Sequence, residues 1–141
     1  MKPFHASIFL ALMLLFVKTT HAAQIQLSGS DPNLVAVEFS GEIKPADFDA
    51  LRRLIEPRLS TNNSFRWFLL NSNGGDVATA MKIGRYIRTL DFDTSVASNA
   101  HCLSSCVFIF AAGNNRSTSK NNLGIHRPFR TSVGSVSRED A

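Results

Sequence analysis

Around residue 70 the sequence changes its hydrophobic period with no more than a tight turn between. Residues 65–70, Phe-Arg-Trp-Phe-Leu-Leu, form a largely apolar run bounded by turn residues, which predicts a buried strand. Asn71-Ser72-Asn73-Gly74-Gly75 follows at once. Val77, Ala80, Met81, Gly84 and Ile87 then recur at helical spacing, with Lys82, Arg85 and Arg88 on the other side. A buried strand feeding directly into an amphipathic helix leaves few arrangements that cover both. The usual one is an α/β layer of parallel strands joined by crossover helices.

The neighbouring segments repeat that alternation. Residues 24–27 and 34–39 read as two strands joined by the turn 28–33, with Val35, Val37 and Phe39 alternating against Ala36 and Glu38. Pro45 suits the first turn of a helix whose stripe is Phe48, Leu51, Leu54 and Ile55; Asp47 and Asp49 lie near its positive end and Pro57 ends or kinks it. Strand resumes over 94–97, and 106–112 is a buried apolar segment. The expectation is one α/β domain with a largely parallel sheet over residues 23–130, followed by a Ser-rich tail, 131–141, that frays. The 141 residues, 44% hydrophobic and 18% charged, fit one folded domain.

Residues 1–22 have the grammar of a secretory signal. Lys2 opens them, an apolar run broken only by Ser7 spans 6–17, and Thr20-His21-Ala22 supplies small residues for a peptidase. The run is short for a membrane span, so membrane association is expected only if the segment stays uncleaved. The remainder is expected in the periplasm or outside the cell, where disulfides persist. The formal charge of +4 falls to +2 when Lys2 and Lys18 are set apart with the leader. Without a basic run or a basic-aromatic stripe, nucleic acid is excluded as a partner. Asn62-Asn63-Ser64 and Asn115-Arg116-Ser117 match a glycosylation sequon, a pattern short enough to arise by chance.

Three places can carry chemistry. Gly74 and Gly75, between strand and helix, let the backbone turn sharply and offer N–H groups to an oxyanion; an ordinary turn uses glycines in the same way. Ser104 and Ser105 precede an apolar helix, where a serine either caps or, as a nucleophile, gains from the helix dipole. His126 stands before Arg127-Pro128 and can serve as a base or as a loop residue, with His101 a second choice. Cys102 and Cys106 flank the serines; in an exported chain the pairing expected is a disulfide, the alternative two packed thiols. Two lone cysteines make neither a zinc site nor a Cys-x-x-Cys redox pair, and no metal is expected.

Asn71-Ser72-Asn73-Gly74-Gly75, Ser104 through Ala111-Ala112-Gly113, and Gly124-Ile125-His126-Arg127-Pro128 resemble, in order and spacing, the three signatures of Clp-protease-like serine peptidases of the Clp protease/crotonase superfamily. Gly113 follows Ser104 by nine residues and His126 follows it by 22. The likeness covers residues 34–130, and the Cys-x-x-x-Cys around the serine after a signal segment is similar to exported bacterial members. The resemblance implies repeated β-β-α units, Ser104 as nucleophile, His126 as general base, and the N–H groups of Gly75 and Ser105 as oxyanion donors, with Gly74 beside the substrate. It implies peptide-bond hydrolysis through an acyl-enzyme, without metal or cofactor, on peptide or unfolded protein substrates, and self-association.

The chain also departs from the pattern. Ala100, Leu103 and Cys106 stand where the family has Gly, Ala and Gly. The family's Asp lies well beyond the histidine, where this chain has only Glu139 and Asp140. The fold of the family continues further, so the resemblance implies a C-terminal end that is incomplete here. No docking element for an ATP-driven unfoldase is recognisable. Two other expectations therefore stand beside the hydrolase: an inactive relative that binds peptides or partner subunits, and a truncated product without function.

Overall fold

The computed structural model describes residues 23–31, 33–59 and 65–126. The expected signal segment, the sequon at Asn62 and the tail with Glu139 and Asp140 lie outside these residues. Strand β1 (Gln24–Ser28) lies antiparallel to β2 (Leu34–Ser40). Beyond β2 come β3 (Phe65–Asn71), β4 (Asp93–Val96) and β6 (Arg116–Thr118), each parallel to its neighbour, in the order β1-β2-β3-β4-β6. Helices α1 (Asp47–Ile55), α2 (Val77–Thr89) and α3 (Cys106–Ala111) connect them. The fold is mixed α/β with a mostly parallel sheet, as the alternation of periods predicts.

Between each strand and its helix the chain makes a short crossing stretch, and these stretches pair with one another. Ile43 bridges Gly75, Ser72 bridges Cys102, and β5 (Cys102–Leu103) runs parallel to β7 (Leu123–Gly124). Three successive units of strand, crossing stretch and helix thus stack in register, and β6 with β7 begins a fourth. The consequence is positional. Every strand-to-helix turn arrives on one edge, so residues 30 apart in sequence become neighbours there.

The core is the layer between the sheet and the helices. Val35, Val37, Phe39, Phe68 and Leu70 project from the sheet onto Leu51, Ile55, Ala80, Ile83, Ile87 and Ile109. Phe68 lies between Phe39 and Phe92, with ring centroids 6.1 Å from each. Two expectations need correction. The 65–70 run is buried on one face only: Phe68 and Leu70 are inside, whereas Phe65 and Trp67 are exposed on the face without helices. In α2 the buried stripe is Thr79, Ala80, Ile83, Gly84 and Ile87, and the helically spaced Val77 and Met81 are exposed.

Asp47 lies in the first turn of α1, as expected, and is buried. Its carboxylate accepts the Lys44 N–H at 2.7 Å while its own N–H donates to the Lys44 carbonyl at 3.0 Å. Burial pushes its pKa up, and hydrogen bonds from the Lys44 and Ala23 backbone oppose the rise.

Candidate active site

Two strand-to-helix turns form the site, and Ser72 joins them. At the end of β3 its hydroxyl donates to the Gly41 carbonyl at 2.6 Å and accepts the Gly74 N–H at 3.0 Å. Its backbone accepts from Leu103 N–H at 2.9 Å and donates to the His101 carbonyl at 2.8 Å. Ser72 is buried, so these bonds are shielded from water. The chain then passes through Gly74 and Gly75, at φ +94° and +146°. A Cβ at Gly74 would lie 2.8 Å from both the Leu103 carbonyl and Ser104 Cβ, and one at Gly75 would run into the backbone of Ile43. Only glycine lets the two turns approach this closely.

Asp76 then caps α2, accepting the Thr79 N–H at 2.7 Å. Hydrogen bonds from the Thr79 side chain and backbone hold its carboxyl below the usual range.

The second turn carries Ser104. It has φ +54°, in the left-handed region that costs a residue with a side chain roughly 1–2 kcal/mol. Three restraints hold it. The Ser104 N–H donates to the Gly124 carbonyl at 2.7 Å, its carbonyl accepts from Val107 N–H at 3.1 Å, and a disulfide joins Cys102 to Cys106 across it with Cα atoms 5.3 Å apart. The expected disulfide is therefore formed, with both cysteines fully buried. Cysteines two residues either side of the serine occupy the places that glycines hold in the Gly-x-Ser-x-Gly turn of α/β-hydrolases.

Both turns open into a cleft of about 380 Å³ lined by Asn73, Gly75, Ser104, Ser105 and His126, with apolar walls from Val77, Phe108 and Ile125. Four of the five residues expected to act are thus brought together; Gly74 lies just beneath, buried by the turn. No hydrogen bond joins Ser104 Oγ to the imidazole among the described residues. His101 is not on the cleft wall; its carbonyl accepts the Ser72 N–H and its backbone N–H donates to Asn71 Oδ1 at 3.3 Å. No Asp or Glu lines the cleft among the described residues, and no cluster there could hold a metal.

The expected oxyanion donors differ in state. The Ser105 N–H has no partner among the described residues. The Gly75 N–H instead donates to Ser105 Oγ at 2.8 Å, and the Ser105 hydroxyl donates back to the Gly75 carbonyl at 3.0 Å. Gly113, part of the serine signature, is a packing residue: a Cβ there would collide with Thr94. Sequence reasoning missed the cleft walls Val77, Phe108 and Ile125, the Ser72 junction and the Asp76 cap. For Asp76 a signal existed, an acid directly before an apolar helical stripe.

No protein-family model matches the chain, and no curated protein matches it at the level required for significance. Among solved structures it is similar to a provisionally named enoyl-CoA hydratase from Streptomyces coelicolor A3(2). The TM-score is 0.41 and the identity 16%, over 84% of this chain and 50% of that one. The chain spans about half the length of that protein.

Proposed function

We propose that the chain is an exported serine hydrolase of the Clp-protease-like kind that cleaves peptide bonds, with Ser104 as nucleophile and His126 as general base. The observation that carries this reading is Ser104 itself: a non-glycine residue at φ +54°, on a strand-to-helix turn closed by a disulfide, facing the cleft that also holds His126. Strain restrained from three sides is what a presented nucleophile needs; Asp91 and Asn121, the other non-glycine residues at positive φ among the described residues, have no bridge closed across them.

In the proposed reaction His126 takes the Ser104 Oγ proton as Oγ attacks the peptide carbonyl. The oxyanion lies against the Ser105 N–H. Collapse breaks the C–N bond, and the amine leaves with the proton from His126. Water, deprotonated by the same imidazole, then hydrolyses the ester and releases the acid product. Val77, Phe108 and Ile125 favour an apolar side chain beside the scissile bond. The buried disulfide fits an oxidising compartment.

A fluorogenic peptide mixture with apolar residues tests the reading. Turnover by the native chain is expected to fall at least ~10³-fold in Ser104→Ala and His126→Ala, with both variants retaining the native melting transition. Equal turnover in Ser104→Ala contradicts it. A second reading, peptide binding without catalysis, is favoured by the lack of a carboxylate on the described cleft wall and by the engaged Gly75 N–H. It expects peptide affinity that survives both substitutions and no turnover in any form.

A further inference from the structure

Ser105 stands at the N-cap of α3, where a serine hydroxyl ordinarily accepts an N–H of the first helical turn. It makes no such bond. Its oxygen accepts the Gly75 N–H at 2.8 Å and its proton goes to the Gly75 carbonyl at 3.0 Å, so the hydroxyl both accepts from and donates to one residue 30 positions away. We propose that the Ser105 hydroxyl is a plug: it holds the Gly75 N–H in the resting protein and, by turning its side chain, releases that N–H to the oxyanion.

The geometry of Gly75 gives the plug its logic. The Gly74 carbonyl accepts from Ile43 N–H and the Asp76 N–H donates to the Ile43 carbonyl, each at 2.9 Å. These bonds fix the peptides on either side of Gly75, so its own N–H and C=O face away from Ile43, toward Ser105. A Cβ at Gly75 would run into Ile43, so the loop has no slack with which to redirect the N–H. What can move is the Ser105 side chain, through a single rotatable bond, and both residues border the cleft. Ser105 is thus a positioning residue, acting through Gly75. In the resting state one oxyanion donor, the Ser105 N–H, has no partner among the described residues; after rotation there are two donors.

The plug rests on the reading of Ser104 as nucleophile, and its test separates the two. Ser105→Ala keeps the backbone donor and removes the plug; Ser105→Thr restores a hydroxyl. The rate at which a fluorophosphonate labels Ser104 is expected to rise roughly tenfold or more in Ser105→Ala, a part of the ~10²–10³ that one oxyanion donor is worth, and to return toward the native rate in Ser105→Thr. In parallel, the Gly75 amide proton, followed by NMR hydrogen exchange, is expected to be protected in the native chain and to exchange faster in Ser105→Ala. The native chain alone gives a decisive measurement: a Gly75 amide that exchanges as fast as an exposed loop overturns the plug whether or not any variant folds. Labelling of Ser104 that is unchanged or slower in a folded Ser105→Ala also overturns it. If Gly75 is protected and then freed but neither form is labelled, the resting bond between Gly75 and Ser105 stands and the reading of Ser104 as nucleophile fails.

Discussion

The turns at Gly74-Gly75 and at Ser104 meet the same demand by opposite means. Each takes the chain from a crossing stretch into a helix, and each needs backbone with positive φ. The first uses glycines, which reach that conformation without strain and let neighbouring backbone come within contact distance. The second uses a serine, accepts the strain, and restrains it with a disulfide and hydrogen bonds to Gly124 and Val107. Asp91 and Asn121 also take positive φ without glycine, but only the Ser104 turn has a bridge closed across it. The second design fits the proposed role of Ser104 on the cleft wall.

If the glycine turn is fixed by close approach, Gly75→Ala should be the most damaging substitution in either turn. The added methyl meets the Ile43 backbone, which cannot yield without losing the bonds to Gly74 and Asp76. A loss of about 4 kcal/mol, or failure to fold, is expected in urea unfolding. A loss below about 1 kcal/mol would mean that the glycine turn is not held against Ile43 as described.

Next in size is the disulfide. Replacing Cys102 and Cys106 together by Ala should lower stability by about 2 kcal/mol for so short a loop, and should also slow any reaction at Ser104 by releasing its turn. If the protein melts earlier but reacts at the native rate, the bridge stabilises the fold without positioning the serine.

The Asp76 cap, which anchors the glycine turn to α2, should contribute about 1 kcal/mol against Ala. Its pKa is lower when folded than unfolded, so its contribution is full above the ordinary value of 3.8 and disappears as pH falls through the depressed folded value. Melting curves of the native chain and Asp76→Ala should therefore differ near neutrality and converge well below pH 3.8. A gap that persists in acid would assign the effect to packing.

The smallest effect has the opposite sign. Ser104→Gly relieves the left-handed strain but adds freedom to the unfolded chain, for a net gain of about 0.5–1 kcal/mol, while removing the proposed nucleophile. Destabilisation would mean that the serine is not strained.

How much of this the sequence carried follows from the length of each signal. Strands β2 and β3 and helix α2 run for seven residues or more, enough to display a period, and their bounds lie close to those expected. The crossing strands β5 and β7 have two residues each and show no period at all, so the layer that brings the turns together was invisible. Val77 and Met81 read as core because they keep helical spacing; which side of the stripe is covered depends on what packs against α2, which α2 does not encode. Ser104, His126 and the glycines were legible as residue types at family-like spacing. The bond from Gly75 to Ser105, between residues 30 apart, depends on two side-chain and backbone directions that no local pattern records.

The most direct test of the account is to treat the folded, oxidised chain with a fluorophosphonate and locate the adduct by peptide mass mapping. The account expects one adduct, on Ser104, abolished in Ser104→Ala and strongly reduced in His126→Ala. An adduct on Ser105, or none on protein with a native melting transition and an intact Cys102–Cys106 bridge, would contradict it.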